Sequence, residues 1–552
     1  MRAANLRILP NLLRREFAGY TAATFQKDLL AGITVAAVAL PLALAFGIAS
    51  GATPAAGLVT AILSGLIIGG LSGAPFQISG PTGAMSAVLI VIANRFGANA
   101  LFLVGVLSGI LILLVGIFRL GRVVGLIPRP VITGFTSGIA LIIFVGQIDN
   151  FLGVKTPGTE NAMAKLAGYF EHAFSPNWQT MLIGAIVFAI IFLLPGSISR
   201  RVPGSLIGLA LVTVLAQVLH FNVPVIGDIP RSILLDERLT FNADTFAHLP
   251  DLIIPAVSVA ALGAIESLLC GAVCANATGK KMDSDQELVA QGVGNLIIPF
   301  FGGVPATAAI ARSSVGIASG GVTRMVSIVH GLVLLLCVFA LGPILAVVPL
   351  AGLAGVLMAT AVRMNEWREI RWMLNHRFKS SITAFAVTML ATAWLDLTQA
   401  ILIGMALSAL IFMWRVSDVS VERREVDLAA LRKQGHVIDR LHDSMAVIYV
   451  TGPMFFAAAG SLRESFEEHP EDRALILSMR GVPLIDVSGL EVLEELLEKQ
   501  RARNGVLMLA AVQPAVREML ERAGLAGRIG ADNIFWSADK AILAANARFA
   551  AE

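Results

Sequence analysis

The chain has 552 residues, 56% of them apolar and 14% charged, with a mean hydropathy of +0.79 and a formal net charge of +3. Soluble domains carry roughly 25% charged residues, so these values exclude an ordinary soluble protein and indicate a membrane protein. No basic tract has the character of a nucleic-acid footprint.

Residues 1–28 are polar and partly amphipathic, with Arg2, Arg7, Arg14, Arg15 and Lys27. The start lacks a compact apolar core with a cleavage site, so no signal peptide is expected. The positive-inside rule places this end in the cytoplasm. Apolar segments then follow at 29–49, 55–72, 81–95, 100–119, 124–148, 179–196, 204–220, 253–274, 286–300, 306–318, 322–346, 348–364, 380–397 and 399–416. Several fall short of the ~20 residues that span a bilayer. Counted inward from a cytoplasmic N-terminus, Arg119, Arg122 and Arg129 fall inside, as do Arg200, Arg201, Lys280, Lys281, Arg324, Arg363, Arg368, Arg371, Arg377 and Lys379. The outside loop 221–252 carries Asp228, Asp236, Glu237, Asp244 and Asp251 against Arg231 and Arg238. The alternation supports fourteen segments and a multi-pass membrane protein with both termini cytoplasmic.

Two stretches break the apolar pattern: Phe76-Gln-Ile-Ser-Gly-Pro-Thr-Gly-Ala84 and Gly302-Gly-Val-Pro-Ala-Thr-Ala-Ala309. Pro81 and Pro305 lie 224 positions apart. That offset sets the first segment against the eighth, and seven segments per half is odd, so the halves have opposite topology. Paired, Gly/Pro-broken short segments in inverted halves point to a transporter binding site. Non-helical backbone survives in a bilayer only inside protein or beside a polar cavity. A short helix starting at Pro305 would aim its free N–H groups at an anion. The expected cradle is the N–H groups of Thr82, Gly83 and Ala84 and of Thr307, Ala308 and Ala309. Close helix packing by small residues would explain the same composition.

Glu266 lies mid-segment with no nearby opposite charge in sequence. An ionisable group at that depth costs at least ~2.5 kcal/mol and is functional by default, so Glu266 is expected to bind the coupling proton. Its counterpart at the 224 offset is Leu42. Arg312 has three open roles: a charge facing the substrate, a counter-ion to Glu266, or an anchor at the helix end. Phe46 would wall the pocket. Asn295 and His330 are expected as hydrogen-bonded polar groups within segments, and Ser284-Asp-Gln-Glu287 as a capping box. Cys270, Cys274 and Cys337 are read as packing residues, not as disulfides or a metal site. No nucleophile–base pattern and no phosphate-binding loop is present, so neither an enzyme nor an ATP-driven pump is expected, and no cofactor or metal.

Residues 417–552 change character to a soluble α/β domain. Strands are expected at 446–450, 474–478 and 505–510, and amphipathic helices at 490–501 and 514–523. Ile485-Asp-Val-Ser-Gly-Leu490 forms a turn where Ser488 is either part of a helix cap or a regulatory site.

Together the Asp28-Leu-Leu-Ala-Gly-Ile-Thr-Val start, Ser79-Gly-Pro-Thr, Gly-Ala-Ile-Glu-Ser-Leu-Leu, the Gly-Asn-Leu-Ile-Ile-Pro-Phe-Phe-Gly-Gly run at 294–303 and the late Asp-Val-Ser-Gly resemble the sulfate permease (SulP) family of anion transporters. The resemblance covers the chain from about Phe17 onward. It implies a seven-plus-seven inverted repeat, a C-terminal STAS domain and a homodimer. It also implies a core of segments 1–4 and 8–11 moving like an elevator against a gate of segments 5–7 and 12–14. The Ala-Ile-Glu-Ser-Leu-Leu-Cys and Ala-Thr-Ala-Ala-Ile-Ala-Arg-Ser wording is most similar to bacterial members that carry four-carbon dicarboxylates (succinate, fumarate, aspartate) with protons, and this resemblance implies the bacterial inner (plasma) membrane as the location. Sodium-using members tend to have Asp at the position of Glu266 and a hydroxyl at that of Cys270. Animal members have Gln at that of Leu42. Sulfate or bicarbonate transport is the alternative. A membrane scaffold that recruits a metabolic partner, such as an acyl-carrier protein, through the STAS domain is the alternative of another class.

Overall fold

The computed structural model describes residues 8–121, 128–156, 162–171, 175–195, 198, 202–240, 249–395, 397–417, 419–424, 426, 431, 445–467 and 473–550. Arg2, Arg7, Arg122, Arg200, Arg201 and Asp244 lie outside them. The chain divides into two units, Met1–Ala406 and Leu407–Glu552.

The helices that carry the fourteen apolar segments are α1 (Ala22–Ala49), α2 (Pro54–Leu71), α3 (Gly83–Phe96), α4 (Ala98–Ile117), α5 (Arg129–Gly146), α6 (Trp178–Leu193), α7 (Gly204–Val218), α8 (Leu249–Thr278), α9 (Ser284–Ile297), α10 (Ile310–Ala318), α11 (Met325–Ala346), α12 (Leu350–Met364), α13 (Lys379–Trp394) and α14 (Leu397–Val416). Seven described helices are long and apolar enough to cross a membrane. Two two-residue strands, β1 (Ser79–Gly80) and β2 (Thr307–Ala308), precede the short helices α3 and α10. This is the expected helical membrane architecture, an inverted repeat of seven segments with one half-helix in each half.

Packing sorts the helices. The most extensive contacts run between α4 and α9, α1 and α11, and α4 and α8 in one group, and between α5 and α13, α6 and α12, and α6 and α7 in another. Glycine makes two of these seams close. A Cβ at Gly109 would stand 2.7 Å from the Leu296 nitrogen, and one at Gly292 would stand 2.6 Å from the Leu113 nitrogen. Without a hydrophobic drive between helices in lipid, such backbone approach supplies the packing energy. On α5, Gly134 and Gly138, four apart, meet Phe385 and Thr392 of α13 in the same way.

Helix α1 begins seven residues before the apolar run does, at Ala22, because its polar first turns have partners. Thr21 caps the helix by accepting from the Thr24 nitrogen. Asp28 is fully buried and accepts from the backbone nitrogens of Val322 and Thr323 at 2.6 and 3.2 Å, from the Thr323 hydroxyl at 2.5 Å and from the Tyr20 hydroxyl at 3.0 Å. Beside it, Arg324 holds Glu16, at the end of the N-terminal helix Ile8–Glu16, in a 2.7 Å ion pair whose side chains are 2% and 5% exposed. Arg324 also donates to the Gly70 carbonyl at the end of α2. The segment before the membrane is thus tied to the entry of α11.

The second unit has a five-stranded sheet in the order β3 (Ser420–Arg424), β4 (Met445–Thr451), β5 (Ala474–Gly481), β6 (Val506–Ala510), β7 (Ile534–Phe535). Only β3 and β4 pair antiparallel. Its helices include α15 (Ala459–Glu467), α16 (Val487–Ala502), α17 (Pro514–Arg522) and α18 (Ala538–Ala550). Central strand β5 reads as an apolar run because both its faces are covered, one by Leu493 and Leu497 of α16 and the other by Ala541 and Ala545 of α18. Asp486 caps α16 by accepting from the Gly489 nitrogen and also holds the Phe456 nitrogen. Ser488, in the first turn, is half-buried and is not the cap.

Removing one member of a buried ion pair leaves the other charge uncompensated, at a cost of about 3–5 kcal/mol. Glu16→Ala is therefore expected to lower the thermal unfolding temperature of the purified protein by several degrees. The double variant Glu16→Gln/Arg324→Met should lose less. An Ala variant as stable as the parent would contradict the clasp.

Candidate anion-binding site

Strands β1 and β2 pair antiparallel, with Ser79 opposite Ala308 and Gly80 opposite Thr307. Because the strands run antiparallel, α3 and α10 leave the crossing from opposite ends. Polar groups from α2, α8 and α9 hold the crossing. The Ser64 hydroxyl, in a π-helical turn of α2, donates to the Ser79 carbonyl, and Gln291 of α9 donates to the Ser79 hydroxyl at 2.8 Å. Asn295 pairs with both backbone groups of Ala306, at 2.7 and 2.9 Å, and Thr60 does the same for Val304. The Ser267 and Thr307 hydroxyls share a 2.9 Å bond, and Gln77 donates to the Ser267 carbonyl.

The second half-helix does not start at Pro305. The backbone stays extended through Thr307–Ala308, and α10 begins at Ile310 with Ala309 at its cap position. Asn295 and Thr60 supply the partners that let residues 304–306 remain non-helical. The structural offset between the halves is therefore 227, the spacing of Gly83 from Ile310 and of Ala22 from Leu249. The expected cradle changes in the second half. The Ala308 nitrogen donates to Ser267 and the Ala309 nitrogen to the Ile78 carbonyl, and the Thr307 side chain is buried in the crossing. Among the described residues, the N–H groups without a partner there belong to Ile310 and Ala311. In the first half, Thr82 caps α3 by accepting from the Met85 nitrogen, and the N–H groups of Gly83 and Ala84 have no partner among the described residues.

Glu266, Arg312, Thr82 and Phe46 do converge here. The Thr82 hydroxyl donates to Glu266 at 3.0 Å. Glu266 is only partly buried, and no cation lies within ion-pair distance of it among the described residues. Arg312, 1% exposed, donates through Nη2 to the Pro81 carbonyl at 2.9 Å, and its Nη1 has no partner among the described residues. Its guanidinium occupies the space that a Cβ on Gly80 would fill. Of the three roles open for Arg312, the helix-end anchor does not fit: the guanidinium crosses the strand pair. Phe46 and Ile143 close over Gly83, where an added Cβ would meet both. Beyond them lies a cavity of about 330 Å3 whose lining includes Ser86, Ile90, Asn94, Gln147 and Lys165. On the other half-helix, Ile310, Ala311 and Ser314 are exposed. The α3 side is sealed by two apolar side chains and the α10 side is open.

One buried carboxylate had a different expected role. Asp283 caps α9, so Gln286 rather than Glu287 stands at the capping-box position. Glu287 instead points inward, fully buried, and accepts from the Ser72 hydroxyl, the Gly73 nitrogen and Gln291. The signal is legible in the sequence: Glu287, Gln291 and Asn295 recur every four residues on one face of a membrane helix. Asn295 is hydrogen-bonded as expected. His330 is fully buried, and neither ring nitrogen has a hydrogen-bond partner among the described residues, contrary to expectation.

The sequence matches the sulfate permease family model over residues 25–388 and the STAS domain model over 436–541. The chain belongs to the sulfate permease family. Among the relatives of this sulfate permease, the putative sulfate transporter YvdB of Bacillus subtilis is 35% identical, over 94% of this chain and 97% of its own length. The bicarbonate transporter BicA of Picosynechococcus is 28% identical, over 93% and 94%. Among solved structures, murine Slc26a9 in the inward-facing state aligns with a TM-score of 0.85 at 17% identity, covering 99% of this chain and 95% of that one. The transmembrane domain of a cyanobacterial BicA aligns with a TM-score of 0.62 at 29% identity, covering 70% and 97%.

Unpairing the buried backbone groups of Ala306 costs about 1–3 kcal/mol per group. Asn295→Leu is expected to lower thermal stability by that order and to abolish anion uptake. Unchanged stability would show that the crossing does not depend on this side chain.

Proposed function

We propose that this protein is a secondary active transporter of a small inorganic oxyanion, sulfate or bicarbonate, driven by protons. The observation that carries this reading is Arg312, a buried guanidinium beside the starts of α3 and α10, whose Nη1, like the first N–H groups of both helices, has no partner among the described residues. A guanidinium offers a planar fork suited to oxyanions, and helix N-termini favour negative charge. The relatives named for sulfate and bicarbonate support this substrate class over a dicarboxylate. A four-carbon dicarboxylate is the second reading, favoured by the Glu266-Ser-Leu-Leu-Cys270 wording. Glu266 would take the proton: it is partly exposed and, among the described residues, has no cation within ion-pair distance.

The two packing groups suggest the moving parts. Helices α1–α4 with α8–α11 would carry the anion past α5–α7 and α12–α14, within a homodimer in the bacterial inner membrane, with both termini cytoplasmic. Ser488 would be a regulatory site, since a phosphate in the first turn of α16 would meet free N–H groups. Recruitment of a partner such as an acyl-carrier protein would belong to the same domain.

Proteoliposome uptake of labelled sulfate, bicarbonate and succinate, with and without an inward proton gradient, tests the reading. Gradient-stimulated uptake of one of the two inorganic anions is expected; uptake of succinate alone would replace it with the dicarboxylate reading. Arg312→Ala should weaken the transported anion by about 10-fold to 100-fold, the value of a charged hydrogen bond. Glu266→Gln should leave anion exchange intact and remove the stimulation by the gradient. A Gln variant with an unchanged pH profile would exclude Glu266 as the proton carrier.

A further inference from the structure

Between α12 and α13 the chain forms a nine-residue helix, Trp367–Asn375, on the face that the positive-inside rule assigns to the cytoplasm. Its buried side is narrow: Met373 is 2% exposed and Ile370 is half-buried. The outward side carries two kinds of residue together. Trp367, Trp372, Leu374 and the following Phe378 are 40–52% exposed. Arg368, Arg371, Arg377 and Lys379 are exposed among them, and none has a carboxylate within ion-pair distance among the described residues. Trp372, His376 and Phe378 form one ring cluster, with centroids 4.9–5.7 Å apart. Of the two local acids, Glu366 is engaged by the Thr133 hydroxyl at 2.7 Å, which fixes the start of the helix to α5, and Glu369 is half-buried, leaving four exposed cations against it.

A water-facing helix gains nothing from four large exposed apolar side chains. A helix in the lipid interface does: tryptophans sit at headgroup level, and cations beside them attract anionic lipid. We infer that Trp367–Lys379 is a docking surface for anionic phospholipid of the cytoplasmic leaflet, with the aromatic side chains in the interface and Arg368, Arg371, Arg377 and Lys379 on the headgroups. The short helix joins two members of the group that packs around α5, so bound lipid would hold that group at the bilayer surface while the other moves. The inference rests on the membrane topology and not on the identity of the transported anion.

The test uses the full chain with Trp178, Trp394, Trp414 and Trp536 changed to Phe, so that Trp367 and Trp372 report. The protein is placed in nanodiscs holding phosphatidylglycerol or phosphatidylcholine brominated near the headgroup. Stronger quenching by the phosphatidylglycerol is expected, and added salt should erase the difference. The combined substitution Arg368→Gln, Arg371→Gln, Arg377→Gln and Lys379→Gln should erase it too, with apparent affinity falling about fivefold per charge removed. Should that variant not fold, the salt series on the parent decides. Equal quenching by the two lipids would overturn the charge-reading surface. No quenching by either would mean that a second copy or the C-terminal domain covers this face, and would overturn the proposal outright.

Discussion

The structure depends on satisfying non-helical backbone inside a membrane protein. Each unpaired N–H or C=O in a low-dielectric region costs several kcal/mol, and the β1–β2 crossing brings two such segments together. The solution is a stripe of amides and one carboxylate on α9. Glu287 holds the turn after α2, Gln291 holds Ser79, and Asn295 holds Ala306. Hydroxyls from α2 and α8 complete it. With the crossing fixed, two helix N-termini can stand free beside it without water to cover them. The proposed anion site is therefore a consequence of how the crossing is braced.

The two halves share this frame and differ in what they place in it. Only the second half supplies charged side chains, Glu266 from α8 and Arg312 from α10. The first supplies a glycine, Gly80, whose missing Cβ makes room for the guanidinium, and a carbonyl, Pro81, that receives it. The counterpart of Glu266 is Leu42 at the 224 offset and Ala39 at the 227 offset; both are apolar, so the asymmetry survives the shift. Phe46 and Ile143 add a second asymmetry by sealing the α3 side while α10 stays open. The repeat is thus inverted in topology and unequal in the side chains each half places at the crossing.

Much of this was legible from residue types. The apolar runs located fourteen helices because membrane helices are long and unbroken, and the paired Gly/Pro interruptions located the crossing. The start of α10 was not legible. Pro305 reads as a helix start, and Asn295, on the preceding helix, and Thr60, from the first half, hold residues 304–306 out of a helix. The roles of Ala308 and Ala309 changed because the crossing uses their N–H groups: the Ser267 hydroxyl takes one and the Ile78 carbonyl the other, and local sequence reveals neither partner. Glu287 was misassigned because Ser284-Asp-Gln-Glu287 fits a cap motif locally, whereas the Glu287, Gln291, Asn295 spacing shows its true direction. In the second unit the central strands were found from their apolar runs. The exposed β3 and two-residue β7 carry no such run.

Proton coupling, in the mechanism proposed here, follows from charge in a small volume. Arg312 and an ionised Glu266 sum to zero, and the site then offers an anion only helix dipoles and hydrogen bonds. Protonating Glu266 leaves the guanidinium charge uncompensated, and an anion arriving there gains the attraction that the carboxylate had cancelled. In that proposal anion and proton would favour each other's binding, reciprocally, by linkage. Thr82 joins the two events physically. Its hydroxyl caps α3 through Met85 and also donates to Glu266, and its neighbour Pro81 holds Arg312. A change in the carboxyl is thus felt, through one threonine, by both the helix N-terminus and the arginine that face the anion.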